Sequence, residues 1–425
     1  MAFFGTGAEH AAVALVFGLV YLGMILGGLP WLRLDRTGIA LLGAIAMIAM
    51  GDLTPEQAAL SIHLPTVLLL FAFMVVSAQM RLGGFYAAVT RRMATLPLSP
   101  AALLAVVIVV VALLSAVFSN DIVCLAIAPV LARACLARRV DPVPYLLALA
   151  CASNIGSALT LIGNPQNMLI GEVLKLSFAG YLQQALVPVA CGLVVVWLAL
   201  RGSVSNRGTA LGPAAPPASA AQGVAADDVE PPFDRWQTAK GLLVAAALML
   251  IFLFTDWPRD VAALTAAGVL LLSQRFHSSK VMGLIDWELL VLFMGLFVVN
   301  HALQATGLAG QALAWLAQQG ADLAQTGPLF VATLLLSNLV SNVPAVMLLL
   351  PAAQGQGPQA GATLALVSTL AGNLLIVGSI ANIIVVDAAR RCGIEIDWRR
   401  HARTGVPVTL ASLAGTAAWL AWRPF

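Results

Sequence analysis

Four polar segments interrupt otherwise apolar stretches of this sequence, and they hold the residues best suited to binding a solute. In two of them Ser-Asn stands in the middle of a long apolar run, and a proline follows ten residues after the serine. In the other two, Asn, Ser, Gly or Pro break a run that would otherwise form one helix. Their amides and hydroxyls are neutral hydrogen-bond donors and acceptors, which suit a small solute. The candidate binding residues are Ser119, Asn120, Asn154, Gly163, Asn164, Ser341, Asn342, Asn373, Ser379 and Asn382.

A purely structural role is the alternative for each of these residues. A single Asn in a membrane helix usually makes a helix–helix hydrogen bond worth about 0.6 kcal/mol. That role explains one Asn well, but it explains less well a set that recurs at four breaks. We therefore interpret the set as lining a binding site, in which individual members can still be structural.

Asp121 is the one carboxylate that the sequence places deep within an apolar run. A charged acid inside a membrane is costly, so such a residue is a functional hypothesis by default. Asp121 could take up a proton, hold a sodium ion, or cap the helix that begins at Ile122. The second half of the chain has Val343 at the equivalent position. This asymmetry favours a coupling role, while capping stays open.

The sequence contains no motif of an enzyme or of a nucleotide-driven pump. It lacks a Walker A loop, an HExxH motif and a GxSxG elbow, so we predict no catalytic residue, no resident metal and no cofactor. The five cysteines form no CxxC pair, and we expect them to be small buried apolar residues. Only Cys124 and Cys151 fall near the predicted site, which disfavours a three-thiolate site for a soft metalloid.

The composition is that of an integral membrane protein built from helices. Of 425 residues, 60% are hydrophobic and 10% are charged, against about 25% charged in soluble domains. A net charge of +3 spread over short loops excludes nucleic-acid binding. Apolar runs long enough to cross a bilayer predict ten spans, near residues 10–30, 37–51, 64–80, 144–171, 180–200, 238–256, 259–275, 284–301, 360–390 and 404–422.

The two Ser-Asn runs, 101–138 and 326–355, are too long for single helices. We predict that each enters the membrane, turns at Ser-Asn and leaves on the same side as a re-entrant hairpin. Spans 144–171 and 360–390 are predicted to be broken helices. Irregular backbone at this depth is tolerated only where it is buried in protein or lines a watery cavity.

The distribution of basic residues predicts the orientation. With both termini outside, 19 of the 22 Lys and Arg residues fall on the cytoplasmic side, as the positive-inside rule requires. Only Lys175, Arg259 and Arg423 remain outside.

The two halves of the chain, 1–201 and 236–425, match at an offset near 222 residues. The offset pairs Phe71 with Phe293 and each Ser-Asn with the other; after small gaps it pairs Asn154 with Asn373 and Gly163-Asn164 with Ala381-Asn382. Each half has five spans, so the second half enters the membrane inverted. Inverted repeats with broken helices near the bilayer midplane are typical of secondary transporters. Residues 202–235, rich in Ala and Pro, are predicted to be a flexible cytoplasmic linker, with a regulatory role as the alternative.

These motifs resemble the ion transporter superfamily, and within it the bacterial arsenite/antimonite permease branch. Residues 119–129 (SNDIVCLAIAP) resemble its first hairpin and residues 154–170 (NIGSALTLIGNPQNMLI) its broken helix. The second-half segments 341–351 and 372–382 resemble the counterparts. The sequence departs from the pattern where Asn164-Pro165-Gln166 replaces Asp-Pro-Pro, and where Asp121 and Val343 replace the Thr of the Ser-Asn-Thr signature of carboxylate carriers.

The resemblance implies export of arsenite and antimonite from the cytoplasm across a bacterial inner membrane. It implies proton antiport with alternating access, with a cytoplasmic ATPase as an optional partner. Neutral Asn and Ser suit the neutral hydroxide As(OH)3. The alternative is sodium-coupled transport of an organic or inorganic anion, and a channel is a less favoured third class.

Overall fold

The computed structural model describes residues 6–28, 32–205 and 232–423, which form twenty α-helices and a short 3-10 turn with no β-strand. Among the described helices, seven are long and apolar enough to cross a membrane, and five shorter apolar helices accompany them. The first half contains α1 (Thr6–Leu26), α2 (Arg36–Ala49), α3 (Pro55–Ser61), α4 (Leu64–Leu82), α5 (Phe85–Ala94), α6 (Pro100–Val117), α7 (Asn120–Ala137), α8 (Val143–Ser157), α9 (Pro165–Val173) and α10 (Phe178–Ser205).

The second half repeats this order of elements. It contains α11 (Arg235–Phe254), α12 (Arg259–Leu271), α13 (Ser278–Met282), α14 (Trp287–Ala305), α15 (Leu308–Gln318), α16 (Thr326–Val340), α17 (Asn342–Ala353), α18 (Pro358–Ala371), α19 (Ile380–Arg391) and α20 (Trp398–Trp422). The chain is thus an all-helical, multi-pass membrane protein with the architecture of an inverted-repeat transporter.

Each predicted span corresponds to one helix, or to two where a break was predicted. Each Ser-Asn run is a helical hairpin, α6–α7 or α16–α17, that turns at the expected residues. The broken helices are α8–α9 and α18–α19. Proline at the first turn starts α6, α8, α9 and α18, where its missing N–H has no helical partner to lose.

Four short helices, α3, α5, α13 and α15, were not predicted from the sequence. They lie between spans and recur in both halves, α3 matching α13 and α5 matching α15. Helix α5 shows why a search for apolar runs misses them. It buries Tyr86, Thr90 and Met93 on one face while Arg91 and Arg92 belong to its polar side.

The two halves exchange contacts through their early helices. Helix α2 of the first half packs on α14 of the second, and α12 of the second packs on α4 of the first. Close approach in the first pair depends on Gly295, where an added Cβ would lie 2.8 Å from the backbone carbonyl of Ala40. This reciprocal packing joins the two halves, and α4 and α14 in turn contact α9 and α17.

Ion pairs join residues that the predicted topology puts on one side. Glu172 pairs with Arg259 at 2.9 Å and with Lys175 at 3.8 Å, and this cluster unites two of the three basic residues expected outside. On the opposite side, Asp234 caps α11 and pairs with Arg275. The backbone N–H of Gln237 lowers the pKa of that Asp234 carboxyl. The orientation relative to the cell stays a prediction.

The linker predicted at 202–235 is mostly outside the described residues, which omit 206–231. Helix α10 continues to Ser205, four residues into the predicted linker. The prediction that this linker is a flexible tether therefore lies outside the described residues.

Candidate functional site

The first hairpin tip is hydrogen-bonded to the broken helix of its own half. The backbone N–H of Asn120 donates to the carbonyl of Gly163 at 3.2 Å. Ser153 donates its hydroxyl to the Asn120 carbonyl at 3.2 Å, and Ser115 donates to Ser153 at 3.1 Å. These three bonds hold the α6–α7 tip against the end of α8.

Asn154 is the centre of a buried amide network that joins the two halves. Its Nδ2 donates to Asn373 Oδ1 at 2.8 Å and to Asn382 Oδ1 at 3.0 Å. Its Oδ1 accepts from Ser379 Oγ at 2.8 Å and from Asn120 Nδ2 at 3.3 Å. All five side chains are predicted site residues, and the fold brings them together from three separate segments.

The amide orientations in this network follow from two backbone carbonyls. Asn382 Nδ2 donates to the carbonyls of Gly372 at 2.8 Å and Leu375 at 3.1 Å. Since carbonyls only accept, Asn382 must present Oδ1 to Asn154, and Asn154 must present its own Oδ1 to Asn120. Asn120 then donates with Nδ2, and its buried Oδ1 has no hydrogen-bond partner among the described residues.

Thr369 is a second centre, which sequence reasoning missed. Its hydroxyl accepts from Asn164 Nδ2 and from Gln166 Nε2, both at 3.2 Å, and donates to Asn167 Oδ1 at 3.3 Å. Asn164 also caps α9, because its Oδ1 accepts from the Asn167 backbone N–H at 2.9 Å. Thr369 thus ties the second half to the break in the first.

The broken helices of the two halves match at an offset of 215 residues, since α8 starts at Val143, α18 at Pro358, α9 at Pro165 and α19 at Ile380. This register pairs Gly163 with Gly378 and Asn164 with Ser379. Asn164 and Ser379 are the residues immediately before α9 and α19, the helices that restart after each break. The sequence-based pairing is wrong here because it matched Asn with Asn rather than helix end with helix end. Asn154 is therefore not the equivalent of Asn373, and Gly163-Asn164 is not the equivalent of Ala381-Asn382.

With this register the network has an approximate two-fold symmetry. Thr369 is the counterpart of Asn154, and each contacts the start of the opposite restarted helix. The equivalent sets of contacts are Asn154 with Ser379 and Asn382, and Thr369 with Asn164 and Asn167.

The second hairpin tip has fewer hydrogen bonds. Ser341 turns the chain with φ of 75°, between α16 and α17. Asn338 donates Nδ2 to the Leu334 carbonyl at 3.0 Å, which leaves its Oδ1 as the free end. The buried atoms Asn338 Oδ1, Asn342 Oδ1 and Ser337 Oγ have no hydrogen-bond partner among the described residues.

Asp121 lies in the first turn of α7, partly exposed beside the first tip. Its carboxylate makes no hydrogen bond or ion pair with another described residue, so it does not cap the helix as one interpretation suggested. Ser119, at the N-cap position, also makes no side-chain capping bond.

Three of the four helices that start at the site have no capping side chain. Helices α7, α17 and α19 begin without such a hydrogen bond, whereas α9 is capped by Asn164. Uncapped helix N-termini carry partial positive charge and free N–H groups. Within the described part of the chain, no Lys or Arg side chain donates to the network, and no three His, Cys, Asp or Glu side chains could share a metal ion.

Several contributors to the site were not among the predicted binding residues. They are Thr369, Gln166, Asn167, Asn338 and His401. His401 is 2% exposed and contacts the Asn373 carbonyl. For Asn167 the sequence did contain a signal, because Asn382 repeats it at an offset of 215 residues.

Comparison with known proteins now gives the family. A family model described as Citrate transporter (CitMHS) matches residues 21–371, more than four fifths of the chain. The chain belongs to this family. This citrate transporter family member is therefore a membrane transporter and not an enzyme.

Among curated proteins, it is 32% identical to the silicon efflux transporter LSI3 of Oryza sativa subsp. japonica, over 94% of this chain and 95% of that one. It is 22% identical to a Dictyostelium discoideum transporter named arsB, over 89% of this chain and 86% of the other. Among solved structures, the Alcanivorax borkumensis YdaH transporter matches with a TM-score of 0.57 at 16% identity, over 98% of both chains. The last match concerns the fold alone.

Proposed function

We propose that this transporter exports small neutral inorganic hydroxides from the cytoplasm by alternating access. Arsenite and antimonite in their trivalent hydroxide forms, and orthosilicic acid, are the substrates of this class. Export is driven by proton antiport, in a bacterial inner membrane, with both termini outside. The proposal requires no ATPase partner.

The observation that carries the proposal is the set of unpartnered acceptors at the two tips. Asn120 Oδ1, Asn338 Oδ1 and Asn342 Oδ1 are buried and lack a donor among the described residues. A buried acceptor without a donor costs about 1–3 kcal/mol. A hydroxide such as As(OH)3 brings O–H donors that would satisfy these oxygens, whereas a carboxylate brings further acceptors.

The relatives support the same class of solute. A silicon efflux transporter is 32% identical over nearly the whole chain, and dissolved silicon is a neutral hydroxide at neutral pH. The distant relative named arsB points to arsenic only by its name. The lack of Lys or Arg donors in the described network agrees with an uncharged solute.

Asp121 is the proposed proton carrier of the cycle. It is the one acidic side chain of the first hairpin tip, and no described basic residue neutralises it. A carboxyl that is free to bind and release a proton beside the substrate suits antiport. Its absence from the second tip, where Val343 stands, limits this role to one half.

Sodium-coupled transport of a carboxylate anion is the second candidate. The uncapped starts of α7, α17 and α19 favour it, because helix N-termini bind anions. The family description, Citrate transporter, favours it as well. A co-bound cation would then have to satisfy the amide oxygens that a hydroxide would otherwise satisfy.

Transport into everted vesicles or proteoliposomes separates the two candidates. We expect an imposed proton gradient to drive arsenite accumulation without ATP, and excess silicic acid to compete with it. Citrate with sodium should neither compete nor accumulate. Sodium-dependent citrate uptake with no arsenite accumulation would reject the proposal in favour of the second candidate.

Substitutions at the tips test the location of the site. Asn120→Ala and Asn342→Ala should raise the arsenite KM about tenfold, the effect of one or two lost hydrogen bonds. Gln311→Ala, on the exposed helix α15, is the matched control and should leave the KM unchanged. An unchanged KM in both tip variants, with folded protein present in the membrane, would move the site elsewhere.

A further inference from the structure

We propose that His401 is a positioning residue of the transport site, which holds the break of the second half through the backbone of Asn373. In the first half Tyr181 has the same role. The consequence of these contacts for transport rests on the function proposed above.

His401 occupies the fourth position of α20 and is almost fully buried, at 2% exposure. Its Nε2 lies 3.1 Å from the carbonyl oxygen of Asn373. A carbonyl can only accept, so Nε2 carries the hydrogen in this contact. Helix α20 approaches closely because residue 405 is Gly: an added Cβ there would lie 2.3 Å from the same Asn373 oxygen.

Tyr181 makes the equivalent contact in the first half. It occupies the fourth position of α10, as His401 does in α20. Its hydroxyl donates to the carbonyl of Ala158 at 2.7 Å. Ala158 and Asn373 are counterparts in the 215-residue register of the broken helices. Two different residue types therefore donate to equivalent carbonyls, which a chance contact would not explain.

The contact is connected directly to the centre of the network. The side chain of Asn373, whose carbonyl His401 holds, accepts from Asn154 Nδ2 at 2.8 Å. Asn154 in turn contacts the first tip through Asn120. His401 thus links the last helix of the second half to the hairpin tip of the first.

The surroundings indicate that His401 acts as a donor. Helices α8 and α18 and the segment 372–379, all packed near α20, contain no Asp, Glu, Lys or Arg, and α10 contains only Arg201, near its far end. The charged residues near His401 on its own helix are Arg399, Arg400 and Arg403, with Asp397 at the N-cap. Asp397 caps the helix through the Arg400 backbone N–H at 2.6 Å. The Asn373 carbonyl is the hydrogen-bond partner that the described residues offer to the ring.

Hydrogen exchange in lipid nanodiscs tests the positioning role without reference to any substrate. His401→Leu removes the donor and should speed amide exchange in segment 372–379 about tenfold, the effect of about one lost buried hydrogen bond. Exchange in segment 158–164 should be unaffected. Tyr181→Phe should give the reverse pattern. His301→Leu, at an exposed position, is the matched control and should change neither segment.

The conservative variant separates a donor from a bulky side chain or a titrating group. His401→Gln keeps an N–H near the position of Nε2, so we expect native exchange rates and arsenite kcat/KM within about twofold of the wild type, against about tenfold lower for His401→Leu. Unchanged exchange in His401→Leu, or a His401→Gln variant as impaired as His401→Leu, would overturn the proposal. If the exchange pattern holds but the wild type moves no arsenite, the proposed function fails and the positioning role stands.

Discussion

The two hairpin tips have similar sequences but different contacts. The first tip is bonded to its broken helix through Asn120, Gly163 and Ser153. At the second tip Ser337, the counterpart of the donor Ser115, has a buried hydroxyl oxygen without a partner among the described residues. One half is thus closed against its own break, and the other is less tightly joined.

Under the alternating access proposed above, this difference describes one state of the cycle. In transporters built from inverted repeats, exchanging the arrangements of the two halves opens the site to the other side of the membrane. We expect the opposite state to bond Ser337 to Ser368, the counterpart of Ser153, and to release Ser115. The unpartnered Ser337 hydroxyl is then a group that finds its partner later in the cycle.

Paired cysteines should arrest the cycle, which is the largest effect we expect. Ser115 and Ser153 have hydroxyl oxygens 3.1 Å apart, so cysteines there lie close enough for a disulfide. In a background lacking the native cysteines, oxidation of Ser115→Cys/Ser153→Cys should form the bond readily and stop transport, and reduction should restore it.

The corresponding pair in the second half tests the exchange of arrangements. Ser337→Cys/Ser368→Cys should cross-link only as the protein turns over, faster when substrate is present. Equal cross-linking of both pairs in resting protein would contradict the asymmetry. Single-cysteine variants control for oxidation elsewhere.

Alanine substitutions of the equivalent glycines at the two breaks should differ almost as strongly in their effect on stability. A Cβ on Gly163 would lie 2.3 Å from the Ser157 carbonyl oxygen and 2.8 Å from that of Ser115, both backbone atoms. On Gly378 the nearest atoms would be the Asn338 side-chain oxygen at 3.1 Å and the Gly372 backbone oxygen at 3.2 Å. Gly163→Ala should therefore destabilise the protein by about 3 kcal/mol, the upper range for overpacking.

Gly378→Ala should stay within about 1 kcal/mol, because the contacts at 3.1 Å and 3.2 Å are relieved by much smaller shifts than those at Gly163. Thermal unfolding in detergent, with arsenite transport as the second readout, compares the two variants. If Gly378→Ala is the more damaging, the second tip is packed as tightly as the first.

The breaks also show what the sequence could reveal. Apolar runs and Ser-Asn, Gly and Pro positions were enough to predict ten spans, two hairpins and two broken helices, because each feature is a local property of the chain. Which polar groups meet depends on the packing of helices that are distant in the sequence, for several pairs more than 200 residues apart. Thr369 and His401 look like ordinary helix residues in the sequence, and only the packing of α18 and α20 brings them to the network.

The predicted pairing of the broken helices was wrong for a related reason. Matching Asn154 with Asn373 joins two residues that touch in space at 2.8 Å, but they are partners across the symmetry rather than equivalents. Similar residue types on both sides of an interface can imitate a repeat, and helix ends are the more reliable guide.

Asp121 is the chemical asymmetry between the tips, and its removal should uncouple transport from the proton gradient. Asp121→Asn keeps the size of the side chain but cannot carry a proton. We expect gradient-driven arsenite accumulation to fall about tenfold, while exchange of arsenite for arsenite across the membrane continues, since binding relies on neutral groups. Unchanged accumulation would place the coupling group elsewhere.

The smallest expected effect comes from single serines at the two tips. Ser115→Ala removes the donor to Ser153 and should lower the free energy of unfolding by about 1 kcal/mol, the net value of one buried hydrogen bond. Ser337→Ala removes a hydroxyl that has no partner among the described residues, so it should be neutral or slightly stabilising. Thermal unfolding of both variants under the same conditions measures the difference. Equal destabilisation would mean that Ser337 is already bonded in this state, and the contrast between the tips would then lie in their shape rather than in their hydrogen bonds.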